Sequence, residues 1–182
     1  DAYVELLQLQ DALREAGVDE VVTVVPYMGY GRQDRAFEPG HPVSARAVAR
    51  AVSTGTDRVV LVTPHEASIR DFFDVPCDVV EAAGRLAVPL HALDAALRDP
   101  LFLAPDGGAI EIAQAVRDAY GDGETDYFEK TRHSGTEVTV EPSDADVAGR
   151  DVVVTDDIVA TGSTMAESVA VLRERDAARI FT

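Results

Sequence analysis

Two adjacent carboxylates close an apolar run in "VVVTDDIVATGSTMAESVAVL", residues 152–172. Asp156 and Asp157 end the run, and Ala160, Thr161, Gly162, Ser163 and Thr164 form a short polar turn ahead of a helical pattern. The first N–H groups of a helix lack intrahelical partners and lie at the positive end of its dipole, so such a turn is a seat for a phosphate. The three hydroxyls add donors, and two carboxylates about one sugar length away accept hydrogen bonds from sugar hydroxyls. The alternative is an ordinary capping box between Thr164 and Glu167, with the aspartates solvating a strand end.

A second constellation is "PYMGYGRQDRAFEPGHPVSARAVARAV", residues 26–52. Arg32 and Gln33 follow an apolar run and offer a planar cation and an amide, suited to phosphate and to base edges. Asp34 and Arg35 are placed for a local ion pair. "VTPHEASIRDFFDVPCD" (62–78) carries His65, and "LFLAPDGGAIEIAQAV" (101–116) sets Asp106, Gly107 and Gly108 between an apolar run and a helical pattern. Glycines let the backbone approach a pyrophosphate closely, and an aspartate suits magnesium or its water. A plain strand-to-helix turn fits the same residues. In "DYFEKTRHSG" (126–135) stands Lys130, the only lysine; every other residue in the Lys+Arg total of 16 is arginine. Lys130 and Arg132 are two positions apart, so in an extended strand both face one side and can converge on one anion.

The elements that must position these groups are legible in the pattern. Apolar runs at 21–27, 58–65, 101–108 and 151–158 end in polar, glycine or proline residues, and three lead into helical patterns, "VSARAVARAV", "AIEIAQAVRDAY" and "TMAESVAVLRERD". Continuous β-branched runs alternating with helices predict an α/β fold with parallel strands covered on both faces. In such sheets ligands gather beyond the carboxyl ends of the strands, where the residues named above stand. Near the start, Leu6, Leu9 and Leu13 recur at helical spacing before Gly17, and "RIFT" at the end reads as the start of a strand. The opening on Asp1 and that ending read as the edges of a longer protein.

With 33 acidic residues and a formal net charge of -17, the surface repels a nucleic-acid backbone, which disfavours nucleic-acid binding. Abundant acid beside almost no lysine is a composition of proteins kept soluble in a salt-rich, halophilic cytoplasm. Cys77 has no partner within the chain, and no run approaches the ~20 apolar residues of a membrane span. A soluble cytoplasmic protein without membrane association is the expectation.

The 152–172 string resembles the phosphoribosyl-pyrophosphate motif shared by type I phosphoribosyltransferases and ribose-phosphate pyrophosphokinases. Pro-Tyr-x-x-Tyr-x-Arg-Gln-Asp-Arg, followed by Pro-x-Ser-Ala-Arg, looks like the ATP-binding segment of the pyrophosphokinases. His65 with Phe72, Phe73 and Pro76 matches their His, helix and Phe-Phe-x-x-Pro pattern, with Thr63 where many members carry Asp. The chain is therefore identified as resembling an archaeal ribose-phosphate pyrophosphokinase. That resemblance implies two similar type I phosphoribosyltransferase-like domains, here 1–85 and 86–182, truncated at both ends, and a homo-oligomer, dimer or hexamer. It implies ATP binding by Arg32, Gln33, Asp34 and His65, and a pyrophosphate loop at Asp106, Gly107 and Gly108. Asp156, Asp157 and residues 160–164 would hold ribose 5-phosphate, Mg²⁺ would lie near His65 and Asp106, and Lys130 and Arg132 would belong to a flexible catalytic loop. The rival readings are a nucleobase phosphoribosyltransferase and a non-catalytic regulatory homologue.

Overall fold

The computed structural model describes residues 2–93, 95–134, 137–142 and 146–182, with side chains over the same residues outside 130–142. The chain divides into two compact units, 1–82 and 83–182.

The first unit contains α1 (Ala2–Glu15), β1 (Val22–Val25), α2 (Ser44–Ser53), β2 (Arg58–Val62), a 3-10 turn (Ala67–Phe72) and β3 (Cys77–Val80). Its strands form a parallel sheet in the order β1-β2-β3, with Val24 opposite Val60 and Leu61 opposite Val79. Central β2 buries Val59 and Leu61 completely. Ala45, Ala49 and Val52 of α2 recur at intervals of four and three and enter the same core as Val25, Ile69 and Phe73. The leucine spacing in α1 predicts the helix but not its inner face. Leu9 is 57% exposed, whereas Gln10 is 2% exposed. The Gln10 amide donates to Thr23 Oγ1 (2.8 Å) and to the Val52 carbonyl (3.2 Å), which makes the burial of a polar side chain tolerable.

The second unit contains a 3-10 turn (Ala83–Ala87), α3 (Val88–His91), β4 (Leu101–Ala104), α4 (Ile110–Tyr120), β5 (Glu124–Ser134), β6 (Glu137–Pro142), β7 (Asp151–Val154), α5 (Ser163–Glu174) and β8 (Arg179–Phe181). The sheet order is β6-β5-β4-β7-β8, parallel except for the β5-β6 pair. Strands β4 and β7 are buried at every position. Their alternate side chains supply two cores: Phe102, Ala104 and Val153 pack with Ala113 and Val116 of α4, while Leu101, Leu103, Val152 and Val154 pack with Leu172 of α5. This is why those runs read as continuously apolar.

A buried polar clasp joins the amino ends of the strands. Arg150, 9% exposed, donates to the Asp99 carbonyl (2.9 Å) and to Glu124 (2.8 Å). Asp151, 1% exposed, accepts from the Arg98 N–H (2.5 Å) and from Arg179 Nε (2.9 Å). The groups come from just before β4 and from the starts of β5, β7 and β8, so four strands are registered at the end opposite the candidate site. Gly123 lets β5 begin beside Pro100: its φ is +104°, and a Cβ there would lie 2.6 Å from the Pro100 carbonyl oxygen.

The α/β class expected from the alternating pattern is the class observed. Strand β3 was not expected, and the backbone around Lys130, which the resemblance places in a flexible loop, lies in the β5-β6 pair. Among the described residues, no helix is long and apolar enough to cross a membrane.

Candidate active site

In the second unit the site is built at the carboxyl ends of neighbouring β4 and β7. Leu103 lies opposite Val154, so the chain leaves the two strands in step and delivers Asp106 beside Asp156 and Asp157. Asp156 is half-buried, and its carboxyl is pushed up to about 6. Burial is the largest cause, followed by the neighbouring Asp157 side chain; Asp106 adds a smaller repulsion, and the Asp157 N–H, donating to Asp156 Oδ1 (2.9 Å), opposes the shift. The three carboxylates therefore form a cluster of like charge, which a cation or a hydroxyl-bearing ligand would relieve.

The turn after Asp157 ends at Gly162, whose φ of +78° admits the left-handed bend before α5. Gly162 is the N-cap and makes no side-chain capping bond, so the Thr164–Glu167 capping-box alternative is not the arrangement adopted. Thr161 Oγ1 and Ser163 Oγ lie 2.9 Å apart, both exposed, and Ser163 N–H points at Thr161 Oγ1 (3.4 Å). Two hydroxyls and the first N–H groups of a helix of 12 residues thus gather at one turn, which is a phosphate-binding arrangement.

Asp106 accepts from the Gly108 N–H (3.0 Å), and its carbonyl accepts from the Ala109 N–H (3.2 Å). Neither Gly107 nor Gly108 has a positive φ. A Cβ on Gly107 would make ordinary contact, 3.6 Å, with the Tyr127 ring. Backbone conformation does not demand glycine at either position, so what glycine provides is room over the loop. Tyr127 was not singled out in the sequence; its placement beside the loop follows from the parallel register, Ala104 opposite Tyr127. Lys130 and Arg132 lie farther along β5, opposite Val140 and Val138 of β6. Their side chains lie outside the described residues, as does any convergence of the two cations.

In the first unit Tyr27 to Arg35 leave the end of β1 as a tight loop. Tyr30, exposed at φ +64°, turns the chain. Tyr3 of α1 donates to the Gly29 carbonyl (3.1 Å), a contact that no sequence pattern announces. Gly31 lies against Ile69 and His65: a Cβ there would meet the His65 Cβ at 3.7 Å. His65 and the Arg32-Gln33 segment are therefore neighbours. Gln33 is fixed to the start of α2, its carbonyl accepting from the Ala45 N–H (3.2 Å) and its Oε1 from Ser44 Oγ (2.7 Å). Arg32 is exposed, Asp34 is half-buried, and the Arg35 guanidinium lies over the Phe37 ring, 5.6 Å from its centre. The segment from Ala67 to Phe72 is a 3-10 turn rather than a longer helix, and Phe73 belongs to the core. Thr63, at φ +40°, uses its hydroxyl to accept from the Ala82 N–H (2.9 Å).

Both loops fall within segments that match known family models. Residues 1–55 match the family model of the N-terminal domain of ribose phosphate pyrophosphokinase, and residues 78–182 match that of the phosphoribosyl transferase domain. The ribose-phosphate pyrophosphokinase of Halobacterium salinarum (strain ATCC 29341 / DSM 671 / R1) is 63% identical over 181 residues, covering 100% of this chain and 63% of that protein. The chain belongs to the ribose-phosphate pyrophosphokinase family. A second member of the family, from Methanopyrus kandleri, is 47% identical over 94% of this chain and 58% of its own length. The crystal structure of phosphoribosylpyrophosphate synthetase from Mycobacterium smegmatis superposes with a TM-score of 0.83 at 32% identity, covering 98% of this chain and 57% of that one. The chain thus spans about three fifths of the length of the family members it matches.

Proposed function

We propose that the full-length protein transfers the β,γ-pyrophosphoryl group of Mg-ATP to the 1-hydroxyl of ribose 5-phosphate, giving phosphoribosyl pyrophosphate and AMP for nucleotide biosynthesis. The observation that carries this reading is the presence, in one chain of this family, of two separate loops. One is the Arg32-Gln33 loop pinned to α2. The other is the Asp156 to Thr164 turn opening α5. A phosphoribosyl acceptor site needs only the second. A nucleotide donor calls for the first as well.

In this reading residues 1–85 supply the nucleotide side, with Arg32, Gln33, Asp34 and His65 against ATP, and residues 86–182 supply the ribose side. Asp156 and Asp157 accept hydrogen bonds from the ribose 2- and 3-hydroxyls, and the 160–164 turn holds the 5-phosphate. Asp106, Gly107 and Gly108 line the pyrophosphate. The 1-hydroxyl oxygen attacks the β-phosphorus, the bond from that phosphorus to the α,β-bridging oxygen breaks, AMP departs, and the hydroxyl proton passes to solvent. Such transfer depends on alignment and charge stabilisation, without a covalent enzyme intermediate. Lys130 and Arg132 neutralise the charge growing on the transferred group and on AMP.

Among the described residues, no three His, Cys, Asp or Glu side chains are grouped to hold a metal by themselves. Mg²⁺ is commonly held by one or two carboxylates together with substrate phosphates. Asp106, beside the raised carboxyl of Asp156, offers the hard oxygen donors such a shared ion takes. Bound with ATP, magnesium would offset phosphate charge and set the line of attack. The remaining elements of the reading are a cytoplasmic, salt-adapted enzyme assembled as a homo-oligomer.

The test is AMP and phosphoribosyl pyrophosphate formation from Mg-ATP and ribose 5-phosphate in molar KCl, with Lys130→Ala in parallel. Stoichiometric products from the parent, and turnover lost in the variant with ribose 5-phosphate affinity retained, are expected. Tight substrate binding without AMP would point to a regulatory homologue. Pyrophosphate release from a nucleobase and phosphoribosyl pyrophosphate would point to a phosphoribosyltransferase.

A further inference from the structure

Gln33 has three of its four hydrogen-bonding groups committed inside the protein. Its N–H donates to the Tyr30 carbonyl (3.0 Å), its carbonyl accepts from the Ala45 N–H (3.2 Å), and its Oε1 accepts from Ser44 Oγ (2.7 Å). Ser44 is the first residue of α2, and the preceding N-cap, Val43, has no side chain able to cap. The Gln33 carbonyl therefore stands in for the missing cap by taking one of the helix's unpaired N–H groups, and the Ser44 hydroxyl fixes the amide at the far end of the same residue. What remains is Nε2, with two hydrogens, and no partner of that nitrogen is found among the described residues. A free glutamine side chain presents its oxygen and its nitrogen with equal ease, because the two orientations are related by a simple flip. A serine hydroxyl can donate or accept, but here the amide oxygen is the atom that meets it, beside the positive end of the α2 dipole, which favours that orientation.

We infer that Ser44 is a positioning residue: it engages the Gln33 amide oxygen and so leaves the amide nitrogen for the nucleotide, and this position reads a hydrogen-bond acceptor. The inference rests on the proposed nucleotide-binding role of the Arg32-Gln33 loop and extends it to a residue outside that loop. The acceptor is either a nitrogen of the base or an oxygen of the triphosphate, and both ask the same of the amide. If Ser44 is absent, the amide spends part of its time with Oε1 outward, where it repels either acceptor. Ground-state and transition-state binding then weaken together, so KM rises while kcat holds.

The experiment compares the full-length protein with Ser44→Ala and Ser44→Thr in steady-state turnover of ATP with ribose 5-phosphate. Thermal melting serves as the check on folding, and inorganic tripolyphosphate serves as a competitor of ATP. Loss of one net hydrogen bond predicts a KM for ATP raised about three- to tenfold in Ser44→Ala, kcat within about twofold, and recovery in Ser44→Thr, which keeps the hydroxyl. Tripolyphosphate inhibition weakened in parallel identifies a phosphate oxygen as the acceptor; unchanged inhibition identifies the base. An unaltered KM in Ser44→Ala overturns the inference, as does a loss confined to kcat or a Ser44→Thr variant no better than Ser44→Ala. If the parent forms no AMP, the proposed function fails and takes this inference with it. An active parent with an indifferent Ser44→Ala removes the inference alone.

Discussion

Replacing Asp156 with asparagine should make the protein more stable and less active, and the stability gain should depend on pH. The carboxyl is raised from 3.8 to about 6, a gap worth ~3 kcal/mol when the group is forced to ionise at high pH. Asp156 is only half-buried, and solvent screening brings that figure down to ~1–1.5 kcal/mol. The sign follows from linkage. The folded state binds the proton more tightly than the unfolded chain, so this group's contribution is fully present below about pH 4 and is lost as pH rises through about 6. At pH 8 the wild type lacks it, while the neutral amide of Asp156→Asn avoids the repulsion from Asp157 and Asp106 at any pH. For a chain of this size, ~1 kcal/mol corresponds to a melting temperature higher by about 2–4 °C. At pH 5 the wild type has regained roughly half of its own protonation benefit, so the advantage of the variant should shrink by about half. Melting curves of both proteins at pH 8 and pH 5 decide the matter, with turnover measured alongside. A variant no more stable than wild type at pH 8, or an advantage equal at both pH values, would refute the account of Asp156 as a carboxylate held against its neighbours. Loss of turnover despite the added stability is the expected accompaniment, because strained charge at a binding site is kept for the ligand it serves.

The clasp at the other end of the sheet titrates in the opposite sense. The Asp151 carboxyl is held below the usual range chiefly by its hydrogen bonds from Arg179, so its stabilisation is present at neutral pH and lost as pH falls through its folded value. Asp151→Asn should cost about 2–3 kcal/mol, less than a fully buried pair because Arg179 remains partly in solvent, and the melting temperature of the variant should fall less than that of wild type on acidification. Gly123→Ala combines a φ of +104° with a Cβ 2.6 Å from the Pro100 carbonyl oxygen. It should cost about 2–4 kcal/mol, read as a urea midpoint lower by roughly 1–2 M; an unchanged midpoint would mean that the β4-β5 junction yields without cost.

Asp151 and Asp156 mark what a sequence discloses and what it withholds. Both flank the same apolar run, five positions apart, and nothing in their local sequence says that one is held ionised and the other pressed toward neutrality. Asp156 was legible as a site residue because its signal is local: a run of β-branched residues, two acids, a glycine turn and a helix within about 20 positions. Leu101 to Gly108 and Val21 to Arg35 were legible in part for the same reason. The clasp was not, because Arg150 finds its partners 26 and 51 positions away and Asp151 finds its own 28 and 53 positions away. Gln10 was hidden for a related reason: a glutamine in a leucine-rich helix reads as surface unless the threonine that receives it, here Thr23 on β1, is known to lie opposite.

The strands that escaped notice share a different cause. β3 is four residues long, lies at the edge of its sheet and contains Cys77 and Asp78, so its pattern offers neither a continuous apolar run nor a clean alternation of polar and apolar residues. In β5 only the stretch from Glu124 to Tyr127 pairs with β4, while Phe128 to Ser134 pair with β6 alone and need no apolar sequence. Backbone pairing can hold a charged stretch in an extended form that side-chain periodicity does not announce. That explains how the single lysine of the chain comes to stand on a strand.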